Sequence, residues 1–156
     1  MNLLEKYKKV RDILIERKID VYGCDISSYA ISEAKNKHRL KVCDIRDGLP
    51  YPNNFFDVVV STSVFEHIEE SFIPYLFCEI NRISKLGLYL EVPIILGDVN
   101  SPWGDKSHVT YMPTSFWITQ AYKNNLLIDI GRSRQIDNGR CHNVELYFYK
   151  VSSERI

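Results

Sequence analysis

The sequence predicts an α/β fold: a mostly parallel sheet covered by helices, with an antiparallel strand at the C-terminal edge. Short apolar runs bounded by turn residues alternate with segments of helical period along nearly the whole chain. Two of the runs, Val21-Tyr22-Gly23-Cys24-Asp25 and Leu40-Lys41-Val42-Cys43-Asp44, each end in a carboxylate. Near-continuous apolar runs of this kind suit strands buried between helical layers.

Each element has its own signal. Leu3, Tyr7, Val10 and Leu14 recur at helical spacing and predict an amphipathic first helix ending near Lys18. A strand over 21–25 follows, then a helix over 28–37 with Ser27 or Ser28 as N-cap. Residues 40–43 form the second strand. The Pro-, Gly- and Asn-rich loop 47–54 leads to a third strand over 58–61. Ser63 and Glu66 are spaced as a capping box, so a helix is expected to begin there. A longer helix spans 72–84, with Ser71 before it and Pro74 in its first turn. The fourth strand covers 88–92, a polar loop 97–107, and another helix 113–123. Strands over 126–132 and 144–151 close the chain as an antiparallel pair.

Composition narrows the function. A chain of 156 residues is expected to form one domain. Its formal net charge is zero, which argues against nucleic acid or an anionic membrane as a generic partner. The N-terminus has no signal-peptide pattern, and no run reaches the ~20 apolar residues that span a bilayer. A soluble cytoplasmic protein is the expectation. Cys24, Cys43, Cys78 and Cys141 lie far apart without a Cys-x-x-Cys spacing, so they read as free thiols and no metal site is assigned.

A carboxylate at the tip of a parallel strand, followed by a helix, is how open α/β sheets hold ribose hydroxyls. Asp25 fits that role, and it fits equally the N-cap of the helix after it. The Gly-x-Gly turn that usually stands one strand earlier is not found ahead of Asp25. Ser61, Thr62 and Ser63 end the third strand, and hydroxyls there suit a polar ligand. Glu66 reads first as the second half of the capping box. His67 and His108 are the histidines placed to act as a base at neutral pH. His67 also reads as a packed helical residue. Trp103 and Tyr111 are placed to stack on a ring or to anchor the loop. Arg46, Arg82, His38 and His142 read as surface groups.

The stretch from Asp44 to Ile68, containing Leu49-Pro50-Tyr51-Pro52-Asn53-Asn54-Phe55-Phe56-Asp57-Val58-Val59-Val60-Ser61 and Glu66-His67-Ile68, resembles the class I S-adenosylmethionine-dependent methyltransferases. The segment Glu79-Ile80-Asn81-Arg82-Ile83-Ser84-Lys85-Leu86-Gly87-Leu88-Tyr89-Leu90 is similar to a later segment of that family. His108 with Pro113 to Trp117 resembles a segment of its saccharide-modifying members. The resemblance covers residues 8–151 and implies a Rossmann-like three-layer α/β/α methyltransferase fold with S-adenosylmethionine as cofactor. It implies that Asp25 takes the ribose hydroxyls and that Asp44 takes the adenine amino group. Ile26 and Ile45 would flank the adenine ring, Ser61 and Thr62 would lie beside the methionine part, and His108 or His67 would face the acceptor. The expected chain is a shortened member that lacks the usual first strand and Gly-rich motif. In that case the 21–25 strand pairs directly with the 58–61 strand, or a second chain fills the gap.

The implied activity is methyl transfer to an oxygen or nitrogen acceptor, a small molecule or, slightly favoured, a saccharide. Two alternatives stand beside it: an inactive interaction or dimerisation module, and half of a split methyltransferase. A homodimer is expected, through the strand over 144–151 or the apolar face of the first helix.

Overall fold

The computed structural model describes residues 17–34, 37–94, 107–137 and 142–151. The predicted first helix, most of the loop over 97–107 with Trp103, and Cys141 lie outside the described residues. The chain divides into two units, Met1–Pro50 and Tyr51–Ile156.

In the first unit, β1 (Gly23–Asp25) and β2 (Leu40–Val42) form a parallel ladder with Asp25 opposite Val42. The Cys43 N–H extends it by donating to the Asp25 carbonyl at 2.9 Å. Ser27 caps the following helix α1 (Ser28–Ser32) by accepting from the Ala30 N–H at 3.1 Å, as its residue type predicts. The helix ends well before residue 37. At Ser32 the hydroxyl donates to the Tyr29 carbonyl at 2.8 Å, a local bond of the kind that competes with helix continuation. A 3₁₀ turn, Lys37–Arg39, then leads into β2.

The second unit is built on a five-stranded sheet. Its elements are β3 (Phe56–Thr62), α2 (Ile73–Ile83), β4 (Ser84–Pro93), α3 (Thr114–Lys123), β5 (Leu126–Ile128), β6 (Arg134–Asp137) and β7 (His142–Lys150). β3 and β4 pair in parallel, and β7 runs antiparallel to β4, β5 and β6. Four strands therefore share one direction and β7 alone opposes them.

The core follows from period. Ile73, Leu76, Phe77, Ile80 and Ile83 are buried at helical spacing along α2. Leu88, Leu90 and Val92 of β4, with Val144, Leu146 and Phe148 of β7, are buried at spacing two, one face of a sheet. Phe77 meets Phe148 edge-on at 6.3 Å, which joins helix to sheet. Trp117 of α3 is 0 % exposed and packs near Phe65 (6.2 Å) and Phe116 (5.1 Å).

Two expectations about the sheet change. The strand over 144–151 is not a free edge for dimerisation, because β4 lies on one side of β7 and β5 and β6 on the other. The strand expected over 126–132 is two strands, interrupted where Arg132 and Ser133 N–H groups both donate to the Asp129 carbonyl. Ser133 bridges the break by accepting from the Tyr147 N–H at 3.0 Å.

Arg82 is also more than a surface charge. It donates to both Glu79 carboxylate oxygens at 2.7 Å, to the Tyr51 carbonyl at 2.7 Å and to Asn53 at 3.2 Å. These bonds tie the loop before β3 to α2.

Candidate functional site

The two strand ends of the first unit differ sharply. Asp25 accepts the Ser27 N–H on Oδ1 at 2.8 Å, and its second oxygen has no partner among the described residues. Beside it Ile26 is 63 % exposed, an apolar surface that no core explains. Asp44, by contrast, is held by its own neighbour. Oδ1 accepts from Arg46 N and Nε at 3.0 and 2.9 Å, and Oδ2 from Nε and Nη2 at 3.1 and 2.6 Å. These side-chain bonds, then the backbone one, hold the carboxyl down at about 2. Asp44 also caps the 3₁₀ turn Ile45–Asp47, in which Ile45 is half-buried.

Cys24 lies within β1, and Cys43 directly follows β2. Burial, with the neighbouring Cys43 second, pushes the Cys24 thiol up to about 12. Both are free thiols, as expected.

In the second unit β3 ends in Ser61 and Thr62, both buried. Ser61 Oγ has no hydrogen-bond partner among the described residues, an arrangement that costs free energy unless a ligand or water supplies one. Ser63 then takes the left-handed conformation (φ 52°) while its N–H donates to the Glu91 carbonyl at 3.0 Å. That turn excludes the expected capping box. No α-helix starts at Ser63; the chain makes a 3₁₀ turn, Phe65–His67, with no side-chain cap.

Glu66 points inward instead. Its side chain is 2 % exposed, with Oε1 3.9 Å from His108 Nε2. The other nitrogen of that ring, Nδ1, is 2.9 Å from the Tyr111 hydroxyl. The His67 and His108 rings meet edge-on at 4.8 Å, and His67 Nδ1 lies 3.1 Å from the Ser107 carbonyl. The backbone holds the segments together. The Glu66 carbonyl accepts N–H groups from Val109 and Thr110 at 2.8 and 3.1 Å, and the Thr110 hydroxyl donates to the Ile68 carbonyl at 2.6 Å. His67 and His108, singled out from sequence, are thus side by side, and Tyr111 joins them as a hydrogen-bond partner. Glu66 was legible only as a cap; the apolar residues Val64 and Phe65 just before it were the available sign that its turn is buried. Trp117, expected in a saccharide-linked segment, is a core residue.

Residues 8–90 match the methyltransferase-domain family, more than half of the 156-residue chain. The chain belongs to the class I S-adenosylmethionine-dependent methyltransferases. Its fold is correspondingly similar to solved members. A Methanosarcina mazei S-adenosylmethionine-dependent methyltransferase is 16 % identical with TM-score 0.72, over 92 % of this chain and 88 % of that one. The Burkholderia thailandensis 1,6-didemethyltoxoflavin-N1-methyltransferase, solved with 1,6-didemethyltoxoflavin and S-adenosylhomocysteine, is 11 % identical with TM-score 0.69, over 91 % and 66 %. The Mycobacterium tuberculosis cyclopropane synthase is 10 % identical with TM-score 0.70, over 90 % and 73 %. No curated protein sequence matches the chain. Among the described residues no helix is long and apolar enough to cross a membrane.

The family's cofactor suits part of this chemistry. In the first unit, the open oxygen of Asp25 suits a ribose hydroxyl and exposed Ile26 suits a purine face. Asp44 fits less well, since an adenine amino group has to displace an Arg46 bond to reach it.

Proposed function

We propose that this methyltransferase-family chain moves a methyl group from S-adenosylmethionine to an oxygen or nitrogen acceptor, a saccharide hydroxyl first among them. The observation that carries the reading is the chain of groups Glu66–His108–Tyr111, an imidazole between a buried carboxylate and a phenol. The order of groups is that of a carboxylate–imidazole–hydroxyl triad, with the hydroxyl at hydrogen-bond distance and the carboxylate 3.9 Å from the ring.

The cofactor, when bound, supplies an electrophilic methyl group on a sulfonium with its leaving group built in. What falls to the protein is positioning and the acceptor's proton. In this reading Asp25 and Ile26 of the first unit hold the nucleoside. His108 takes the acceptor proton at Nδ1 through the Tyr111 oxygen, and Glu66 balances the imidazolium on the Nε2 side. The two hydrogen bonds from Val109 and Thr110 to the Glu66 carbonyl keep His108 in place. The saccharide preference rests on the resemblance around His108, with Trp117 removed from it by burial.

The clasp of Arg46 on Asp44 favours a second reading, a methyltransferase fold kept for interaction without catalysis. Titrating the full chain with S-adenosylhomocysteine decides. The methyltransferase reading expects saturable binding, weakened about 5- to 150-fold by Asp25→Ala, the scale of hydrogen bonds to a ligand hydroxyl pair. Absence of binding sinks it. Equal affinity of the variant and the parent removes Asp25 from the ribose.

A further inference from the structure

The chemistry converging at the 65–68 turn extends beyond a base. Glu66, His67 and His108 each offer a ligand atom, and the atoms all lie within 4.8 Å of one another. Two imidazoles and a carboxylate form a donor set for a borderline divalent ion of the zinc class, whereas calcium and magnesium prefer oxygen alone.

Three features mark a built site. Glu66 is buried, and its Oε1 stands 3.9 Å from His108 Nε2, so the carboxylate already faces one of the imidazoles. Both rings are also held from outside. The Ser107 carbonyl only accepts, so His67 carries its proton on Nδ1 and keeps the Nε2 lone pair. His108 has Tyr111 on Nδ1 and turns Nε2 toward Glu66. Such outer hydrogen bonds fix the tautomer and aim of metal-binding histidines. Finally, the backbone bonds from Val109 and Thr110 to Glu66 join the ligand segments before any ion arrives.

The distances are compatible. Tetrahedral donors with bonds of about 2.0–2.1 Å stand about 3.3 Å apart. The Glu66–His108 separation is 3.9 Å, a gap that a small side-chain rotation closes.

We propose that Glu66, His67 and His108 bind one divalent cation of the zinc class, with three protein ligands and an open fourth position. Binding as such does not depend on methyl transfer. The role of the open position rests on the proposed function: a hydroxyl bound there gives up its proton to solvent near neutral pH, so the ion replaces His108 as the activating group.

The test uses the full chain stripped of metal. Cobalt(II) is titrated by visible absorption, and zinc by competition with a chromophoric chelator. Expected are one ion per chain, an intense tetrahedral cobalt band without a thiolate charge-transfer band, and a dissociation constant of about 10 µM or tighter. His67→Gln, at a half-exposed position where folding is not at stake, and His108→Ala should each weaken binding at least about 10-fold. Cys24→Ser with Cys43→Ser should leave it unchanged. The proposal is overturned by no saturable binding at about 100 µM metal, by smaller losses in both histidine variants, or by loss in the cysteine variant. S-adenosylhomocysteine affinity, measured separately, reports on the methyltransferase reading alone.

Discussion

The buried Glu66 carboxylate and the His108 ring face each other at 3.9 Å, with the Tyr111 hydroxyl on the far nitrogen of the ring at 2.9 Å. The carboxylate comes from the turn after β3 and the ring from the segment before α3. The backbone bonds from Val109 and Thr110 to the Glu66 carbonyl, with the Thr110 hydroxyl on the Ile68 carbonyl, join the two segments. Removing either partner therefore tests one unit of chemistry.

With chelator present, His108→Ala should lower methyl-transfer turnover about 10²–10⁴-fold and leave S-adenosylhomocysteine affinity nearly unchanged. His67→Ala, measured alongside, should have the smaller effect. Full turnover in the His108 variant removes it as the proton acceptor.

Gly87 of β4 has φ 154°, and a Cβ there would stand 2.0 Å from the Phe148 carbonyl oxygen. That neighbour is backbone of the central strand β7 and cannot rotate away. Gly87→Ala is expected to cost more than about 2 kcal/mol in urea denaturation. A cost below about 0.5 kcal/mol would contradict the close approach of these strands.

Trp117 is fully buried, yet its indole Nε1 has no hydrogen-bond partner among the described residues. Trp117→Ala should lose about 3–5 kcal/mol, the range for a large aromatic removed from a core. Trp117→Phe should lose less, since it keeps an aromatic ring and removes the unsatisfied donor. Equal losses in the two variants would locate the cost in the indole donor rather than in packing.

The Asp44 carboxyl is held at about 2 against an ordinary 3.8 by its bonds to Arg46. Its folded value is depressed, so the stabilisation is full above pH 3.8 and disappears as pH falls toward 2. Carboxyl NMR should show Asp44 titrating near the lower value, and Arg46→Ala should return it toward the upper one. A normal titration in the parent would show that the clasp is open in solution.

Cys24 and Cys78 should differ in reactivity. Burial pushes the Cys24 thiol up to about 12, and Cys78 is exposed. At pH 8 a thiol reagent is expected to label Cys78 well before Cys24, as mass spectrometry of labelled peptides would read; the reverse order would mean that β1 opens readily.

Much of the fold is legible locally. Period two in β4 and β7, period 3.6 in α2, and Ser27 before α1 are set by residues within a few positions of one another. The same holds for the carboxylates closing β1 and following β2, and for the long match from Asp44 to Ile68. Tertiary structure decided what needs distant segments in register. It broke the expected 126–132 strand at Asp129, and it placed β7 between β4 and the β5–β6 edge. It turned Ser63 left-handed, so that Glu66, a capping residue by spacing, became a buried acid facing a histidine. Ser107 stands 40 positions after His67, and no local pattern reports a hydrogen bond across that span. Local propensity is written in neighbouring side chains, whereas the pairing of Glu66 with His108 and the burial of Trp117 arise only once distant segments of the chain are brought together in the fold.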